Sequence, residues 1–319
     1  MLAKIAFACL SFTLLISKAQ AAMGIAGPLL REYIAQPSVI RLNNGTYYVF
    51  SSSNGKINVP IAESDTTDIR GSWHSISGVD ALPQPGTWTD GTWLMYYTAY
   101  PKNQGTNSHG ARKPCIGVAA SKRHLGPYIA DPNPYICSYN GGVGTGFTGA
   151  NRFTAGAERW MVYRNGSVLN PQETARIYLK RVSGPSDIST TREIYSVHRN
   201  TPQLNAGTPA IVNNRGVWFL FYSAGFYGNK NYRIDYATAT SKDGPYTYGG
   251  ILLQTGVVQG VNITGPGGPD FVGPSSTSMV FMAYGPDAVQ ARRDGTLKGT
   301  RRLYTATLKY KGREVSLAT

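Results

Sequence analysis

The sequence is poor in acidic residues, cysteine and histidine. Among 319 residues there are 17 Asp or Glu against 31 Lys or Arg, with only 3 Cys and 4 His. So few cysteines exclude a disulfide-dense scaffold. The scattered His and Cys also cannot supply the ligand set of a zinc site. We therefore expect no metal and no cofactor.

Long apolar runs are also absent, except for one at the N-terminus. Lys4 precedes an uncharged run from Ile5 to Ile16, and Ala19-Gln20-Ala21 follows as a small-residue cleavage motif. This run is too short to span a bilayer. We predict a signal peptide at residues 1–21 and a secreted, extracellular mature chain with no membrane span. We expect residues 22–319 to form a single domain and a monomer.

The net charge of the chain is strongly positive. It is +14, and removal of Lys4 and Lys18 with the signal peptide leaves +12. Such a field favours anionic partners. Because the Lys and Arg residues are dispersed and no basic helix is visible, we expect no nucleic-acid binding.

Glycine, proline and tyrosine are abundant, with 37, 19 and 21 copies. Aromatic side chains suit the pleated surface of a sheet, and Gly and Pro supply tight turns. With 41% hydrophobic residues the chain can bury a core. The composition therefore predicts an all-β fold.

One aromatic strand, preceded by a turn, recurs along the chain. Its five copies are residues 44–50, 90–97, 156–163, 215–222 and 277–284. A partner strand follows each copy, and two partner strands lead into the same tripeptide, Gly126-Pro127-Tyr128 and Gly244-Pro245-Tyr246. Arg70-Gly71-Ser72-Trp73 holds the matching place in the first unit. The spacing is that of four-stranded blades, so we predict a five-bladed β-propeller, with a β-sandwich as the competing architecture.

Covalent features are also expected of a secreted chain. Once Cys9 has left with the signal peptide, Cys115 and Cys137 remain, and one disulfide is the simplest outcome in an oxidising compartment. Two free thiols stay open as the alternative. Sequons at Asn44, Asn165 and Asn262 permit glycosylation in a eukaryotic host.

An ordered series of motifs carries a family resemblance. The series includes Gln36-Pro37-Ser38, Cys115–Ser121 with Gly126-Pro127-Tyr128, Trp160-Met161-Val162-Tyr163, Thr208-Pro209-Ala210, Gly265-Pro266-Gly267-Gly268 and Leu303-Tyr304-Thr305-Ala306. From about residue 28 to 310 the chain resembles the five-bladed glycoside hydrolases of family 43. The resemblance implies a secreted hydrolase of arabinan- or xylan-type plant wall polysaccharide. It also implies inversion with three carboxylates, one acting as base, one as acid and one tuning the acid.

The chain departs from that pattern at each chemically necessary position. The family's base aligns with Gln36, its tuning carboxylate with Thr148 or, after a shift of one residue, Gly149, and its acid with Gly207. A histidine near a bound ion in relatives aligns with Pro269, and a Trp-Ala-Pro-Asp segment expected in the second blade is missing. Since loss of one general acid or base already forfeits about 10²–10⁴ in rate, we expect no catalytic residues of the usual kind.

Three functional hypotheses follow. The first is a catalytically inactive relative that binds an arabinan-, xylan- or pectin-type glycan or a host molecule. Its candidate ligand-binding residues are Gln36, Trp93, Asn151, Tyr227 and Arg302 around the mouth of the central funnel. The second is an active arabinofuranosidase- or xylosidase-type hydrolase with displaced carboxylates. Its candidates are Asp270, the principal one, with Glu32, Asp235 and Asp90. The third is a basic extracellular interaction protein, or effector, that engages a host protein or acidic pectin through its charge.

Overall fold

The structure is a computed structural model that describes residues 24–82, 84–85, 93–100, 113–137, 146–165, 175–182, 191–196, 206–273, 276–290 and 296–319. The described residues form strands and turns, with no helix. The strands group into five blade sheets around a central axis, so the predicted five-bladed β-propeller is confirmed. The predicted signal peptide lies outside the described residues. No helix within those ranges is long and apolar enough to cross a membrane.

The strands are numbered in chain order and assigned to blades by their pairing. A first strand, β1 (Ile25–Ala26), precedes the blades in sequence. Blade 1 contains β2 (Ser38–Arg41), β3 (Tyr47–Phe50), β4 (Ile61–Ser64) and β5 (Trp73–Ser75). Blade 2 contains β6 (Gln84–Pro85), β7 (Trp93–Ala99), β8 (Cys115–Ser121) and β9 (Ile129–Ala130). Blade 3 contains β10 (Phe147–Ala155), β11 (Glu158–Asn165), β12 (Arg176–Arg181) and β13 (Thr191–Ser196).

The last two blades complete the ring. Blade 4 contains β14 (Ala206–Asn214), β15 (Val217–Ala224), β16 (Arg233–Ala239) and β17 (Thr247–Leu253). Blade 5 contains β18 (Gly256–Val258), β19 (Val261–Phe271), β20 (Ser278–Tyr284), β23 (Arg301–Lys311) and β24 (Glu314–Leu317). A small hairpin of β21 (Val289–Gln290) and β22 (Leu297–Lys298) lies between β20 and β23.

The five repeated aromatic strands of the sequence are β3, β7, β11, β15 and β20, one in each blade. Successive residues of a strand point to opposite faces. In β15, Phe219 and Phe221 therefore pack toward blade 5, whereas Leu220 and Tyr222 pack toward blade 3. Each of the five interfaces between blades has its own apolar cluster. The repeat thus encodes the core by filling both faces of every blade.

A second repeated feature supports the equivalence of the blades. The Tyr128 hydroxyl donates to the His124 carbonyl, and the Tyr246 hydroxyl donates to the Lys242 carbonyl. In blade 1 the Trp73 indole N–H donates to the carbonyl four residues earlier, at Ile69. The tripeptides that the sequence marked as equivalent therefore end in aromatic residues with the same anchoring role.

The ring is closed by the N-terminal strand, which the sequence did not predict. Strand β1 pairs antiparallel with β23 and so adds a strand to blade 5. The Gln259 side chain accepts from the Gly24 backbone N–H at 2.8 Å and donates to the Ala318 carbonyl at 2.7 Å. This single amide therefore ties both ends of the described chain to blade 5.

The predicted disulfide between Cys115 and Cys137 is present and closes a segment with a sequence separation of 22. It links the start of β8 to the segment after β9, for which the chain-entropy model gives roughly 3 kcal/mol. Of the sequon residues, Asn44 and Asn262 are exposed and Asn165 is half-buried at the end of β11. Glycosylation stays a prediction.

Candidate functional site

A cavity of about 1190 Å³ lies on the propeller axis. The innermost strands of four blades line it, namely β2, β10, β14 and β19, together with β7 of blade 2. Within the described residues no strand pairs with the cavity-side edge of β7, and the residues of β7 are half-buried or exposed. The corresponding strand β20 is almost wholly buried.

One end of this cavity, here called the upper end, is formed by Gln36, Gly149, Thr208 and Gly268. All four residues have left-handed backbone conformations, with φ of 50°, 63°, 41° and 63°. Strands β10, β14 and β19 each have a bulge at this place. Bulges re-aim side chains at the rims of β structures. Four blades therefore present the same local backbone to the axis, although their sequences share little here.

The upper end is closely packed. A Cβ atom on Gly149 would lie 3.0 Å from the Thr208 backbone nitrogen, and one on Gly268 would lie 3.4 Å from the Gln36 Cα. Two features require glycine at position 149: residues with a side chain rarely adopt this left-handed conformation, and the neighbouring strand leaves little room for a Cβ atom. Thr208 is β-branched, so its positive φ is a local strain.

Asp270, on β19, is buried at this end and holds three blades together. Its carboxylate accepts from the Val39 backbone N–H and from the Asn151 amide, both at 2.7 Å. It also accepts from Ser38 and from the Phe271 backbone. Burial raises the pKa of Asp270, and these hydrogen bonds oppose that shift. The carboxylate thus joins blade 5 to blades 1 and 3.

A second polar network lies beside it between blades 4 and 5. The hydroxyls of Thr208 and Ser223 are 2.7 Å apart, and Ser223 accepts from the Gly268 backbone N–H at 2.8 Å. Tyr232 is hydrogen-bonded to both hydroxyls, and burial raises its pKa. The hydroxyls of Thr208, Ser223 and Tyr232 are therefore hydrogen-bonded within the protein.

The positions aligned with the family's catalytic groups lie at or next to the upper end. Gln36 lines the cavity, and its Oε1 accepts from the Ser52 hydroxyl at 2.7 Å. Gly149 and Thr208 line the cavity, rather than the neighbouring Thr148 and Gly207. None of these residues carries a carboxylate. Thr148 and Gly207 therefore lie next to the described lining, and the alignment of these positions with the family's carboxylates stays a prediction.

The ion that the family resemblance implies does not fit the residue predicted to lie at its position. Pro269 lines the cavity and has no side-chain donor atom. No group of three or more His, Cys, Asp or Glu that could hold a metal occurs among the described residues.

The displaced-carboxylate candidates are not brought together. In the described lining of the cavity, Asp270 is the one carboxylate. Glu32 is exposed and outside that lining. Asp235 is buried in blade 4, where burial raises its pKa and the hydrogen-bonded Arg233 guanidinium, at 2.8 Å, opposes the shift. Asp90 and the segment compared with Trp-Ala-Pro-Asp lie outside the described residues.

The candidate ligand-binding residues are divided between two places. Gln36, Trp93 and Asn151 line the cavity. Tyr227 and Arg302 were predicted near the funnel mouth but do not belong to that lining. Tyr227 lies under the Arg301 guanidinium at 4.9 Å, and Arg302 pairs with Asp287 at 3.0 Å.

The other end of the cavity, here called the lower end, is formed by Trp93, Arg152 and Arg159. Trp93 is 39% exposed at the start of β7, and its ring lies 5.9 Å from that of His124. Arg152 and Arg159, on β10 and β11, are both exposed cavity residues. Sequence reasoning missed the two arginines because no motif marks them, although their strand positions could be read from the repeat.

A five-bladed propeller with a wide axial cavity is the class of protein that this geometry defines. The model of glycosyl hydrolases family 43 matches residues 25–312, so the chain belongs to that family.

Solved structures agree with this assignment at the level of the fold. An α-L-arabinofuranosidase from Lactobacillus brevis has a TM-score of 0.67 at 16% identity, covering 94% of this chain and 96% of its own. An endo-arabinanase from Bacillus licheniformis has a TM-score of 0.64 at 19% identity, and the match covers 90% of this chain and 98% of the arabinanase. A thermostable family-43 glycoside hydrolase has a TM-score of 0.66 at 18% identity, and the match covers 90% of this chain and 93% of the hydrolase. Among curated proteins none matches the chain.

Proposed function

We propose that this protein is a catalytically inactive member of its family that binds a plant-wall-type glycan in the central cavity. Inverting hydrolysis needs two carboxyl groups about 6.5–9.5 Å apart on opposite sides of the scissile bond. The single observation that carries the proposal is that Asp270 is the one carboxylate in the described lining. Asp270 is also engaged with four hydrogen-bond donors of the protein itself.

The cavity keeps features that suit sugar binding without catalysis. Trp93 offers an exposed aromatic face at one end, and Gln36 presents an exposed amide at the other. Pockets of this kind combine aromatic surface with a few oriented polar groups. Family relatives supply the glycan class, because similar structures are named arabinofuranosidase and endo-arabinanase.

The test pairs a hydrolysis assay with a binding assay on the same pure protein. We expect no release of sugar from arabinan, xylan or aryl furanosides, together with retention of the protein in an affinity gel that contains one of these polysaccharides. Trp93→Ala should weaken retention, whereas Tyr248→Ala, an exposed aromatic on the outer strand of blade 4, should not. If none of these polysaccharides retained the protein, the proposal would be refuted.

The same experiment separates the two other hypotheses. Sugar release by the wild type that disappears in an Asp270→Asn variant shown to be folded by circular dichroism would identify a hydrolase with a displaced carboxylate. Failure to bind any glycan, with capture of a host extracellular protein that weakens as salt rises, would favour the basic interaction protein.

Secretion belongs to the same proposal. The charged, apolar and small-residue regions of residues 1–21 support a cleaved signal peptide. We expect N-terminal sequencing of protein recovered from the medium to begin at residue 22, and size-exclusion chromatography with light scattering to give a monomer.

A further inference from the structure

We propose that the lower end of the cavity binds a carboxylate-bearing sugar, so that the ligand is an acidic glycan of the uronic-acid type. The inference rests on the proposed function and deepens it. It adds a charged subsite at the end of the cavity opposite the family's catalytic positions.

The strand registers place two arginines on the same wall. Arg152 lies opposite Met161 in the pairing of β10 with β11, and Thr154 lies opposite Arg159. Met161 packs in the cluster between blades 2 and 3, whereas Phe153 packs toward blade 4. Because side chains alternate along a strand, Arg152 and Arg159 both point toward blade 2 as diagonal neighbours.

In the part of the chain that the structure describes, neither arginine has an acidic partner. Ion pairs elsewhere on blade 3 join Arg176 to Glu193 and Arg181 to Glu158, but within the described residues no carboxylate pairs with Arg152 or Arg159. The one carboxylate in the described lining, Asp270, is enclosed at the upper end by its own donors. Among the described residues the lower end is therefore cationic, with two exposed guanidinium groups and no carboxylate paired with them.

An aromatic surface lies next to this charge. Trp93 contacts His124, and the Tyr128 hydroxyl donates to the His124 carbonyl at 2.9 Å. Burial raises the pKa of Tyr128, and the nearby charge of Arg152 opposes that shift. Arg152 and Trp93 both line the cavity, and the charge of Arg152 acts on Tyr128, whose hydroxyl donates to the residue that Trp93 contacts.

This combination matches the chemistry of a uronic acid residue. A guanidinium presents N–H donors in a fork that fits a carboxylate bidentately. An aromatic ring offers a platform for the apolar face of a sugar. A neutral sugar would use the platform and leave the two guanidinium groups without a charged partner.

The decisive experiment compares an acidic ligand with its uncharged methyl ester, which differs in charge and by one methyl group at each carboxyl. Isothermal titration calorimetry on the full chain would use oligogalacturonate and its methyl ester of the same length. We expect the acid to bind at least about tenfold more tightly than the ester, since charge-assisted hydrogen bonds are roughly twice as strong as neutral ones. The double variant Arg152→Gln/Arg159→Gln should lose this preference.

The control is a matched removal of charge elsewhere. Lys309→Gln/Arg313→Gln removes two exposed positive charges from β23 and the adjoining turn, far in sequence from the cavity. It should keep the tenfold preference for the acid. Circular dichroism confirms that each variant is folded.

The outcomes separate the two proposals. Equal affinity for acid and ester would overturn the acidic-glycan inference, as would an equal loss in both double variants, which would indicate binding to net charge. Retention of neutral arabinan or xylan alone would overturn this inference and leave the proposed function standing. Absence of binding to any glycan would overturn both.

Discussion

The two ends of the central cavity are built from different kinds of contact. At the upper end Asp270, Thr208 and Ser223 direct their hydrogen bonds to other parts of the protein. At the lower end Arg152 and Arg159 are exposed and have no acidic partner in the described part of the chain. Buried polar networks fix a structure when they are fully satisfied. The difference indicates that the buried polar groups of the upper end hold the blades together, whereas the two arginines of the lower end are exposed in the described structure.

The largest effect on stability is expected from Asp270→Ala. This change leaves the Val39 N–H and the Asn151 amide without their acceptor in a buried place. Each unsatisfied buried donor costs about 1–3 kcal/mol, so the free energy of unfolding should fall by about 2–5 kcal/mol in urea titration. Asp287→Ala, which removes an exposed partner of Arg302, should change it by less than about 1 kcal/mol. Similar small losses in both variants would contradict a bridging role for Asp270.

The pH dependence of stability sharpens the same point. Burial raises the pKa of Asp270 in the folded state above its ordinary value of 3.8. The folded state therefore binds more protons than the unfolded state between these two pKa values, and stability falls as pH rises through that window. The contribution is complete below 3.8. We expect the wild type to exceed Asp270→Ala in unfolding free energy by more at pH 4 than at pH 7, while Asp287→Ala follows the wild type. A difference that grows with pH would show that the hydrogen bonds, rather than burial, dominate.

A smaller effect is expected from adding one carbon at the upper end. Gly149→Ala places a Cβ in the left-handed region and 3.0 Å from the Thr208 nitrogen. We expect a loss of about 1–2 kcal/mol from the backbone conformation alone. Gly207→Ala is the matched control, because its Cβ would meet nothing closer than 3.9 Å and should change stability by less than about 0.5 kcal/mol. Equal melting temperatures for the two variants would contradict the close packing described here.

Local sequence patterns predicted the blades, whereas the backbone and the long-range contacts of the upper end could not be predicted from the sequence. The five aromatic strands and the Gly-Pro-Tyr tripeptides are local patterns, and they predicted the number of blades. The left-handed conformations of Gln36 and Thr208 could not be read from residue types that rarely adopt them. Closure of the ring by β1 was not predicted, because a strand of only two residues, Ile25 and Ala26, shows too little alternation to be recognised. The enclosure of Asp270 depends on partners 231 and 119 residues away.

The smallest effect on stability, and the largest on binding, is expected at the lower end. Arg152→Gln should change the unfolding free energy by no more than about 0.5 kcal/mol, because an exposed side chain that has no ion-pair partner among the described residues contributes little to folding. Its affinity for an acidic oligosaccharide should nevertheless fall severalfold, as measured by calorimetry. Asp270→Ala should show the opposite behaviour when folded at low temperature, with weakened stability and retained affinity for the acidic sugar. If both variants lost affinity in proportion to stability, the two ends would act as one structural unit and the division between them would fail.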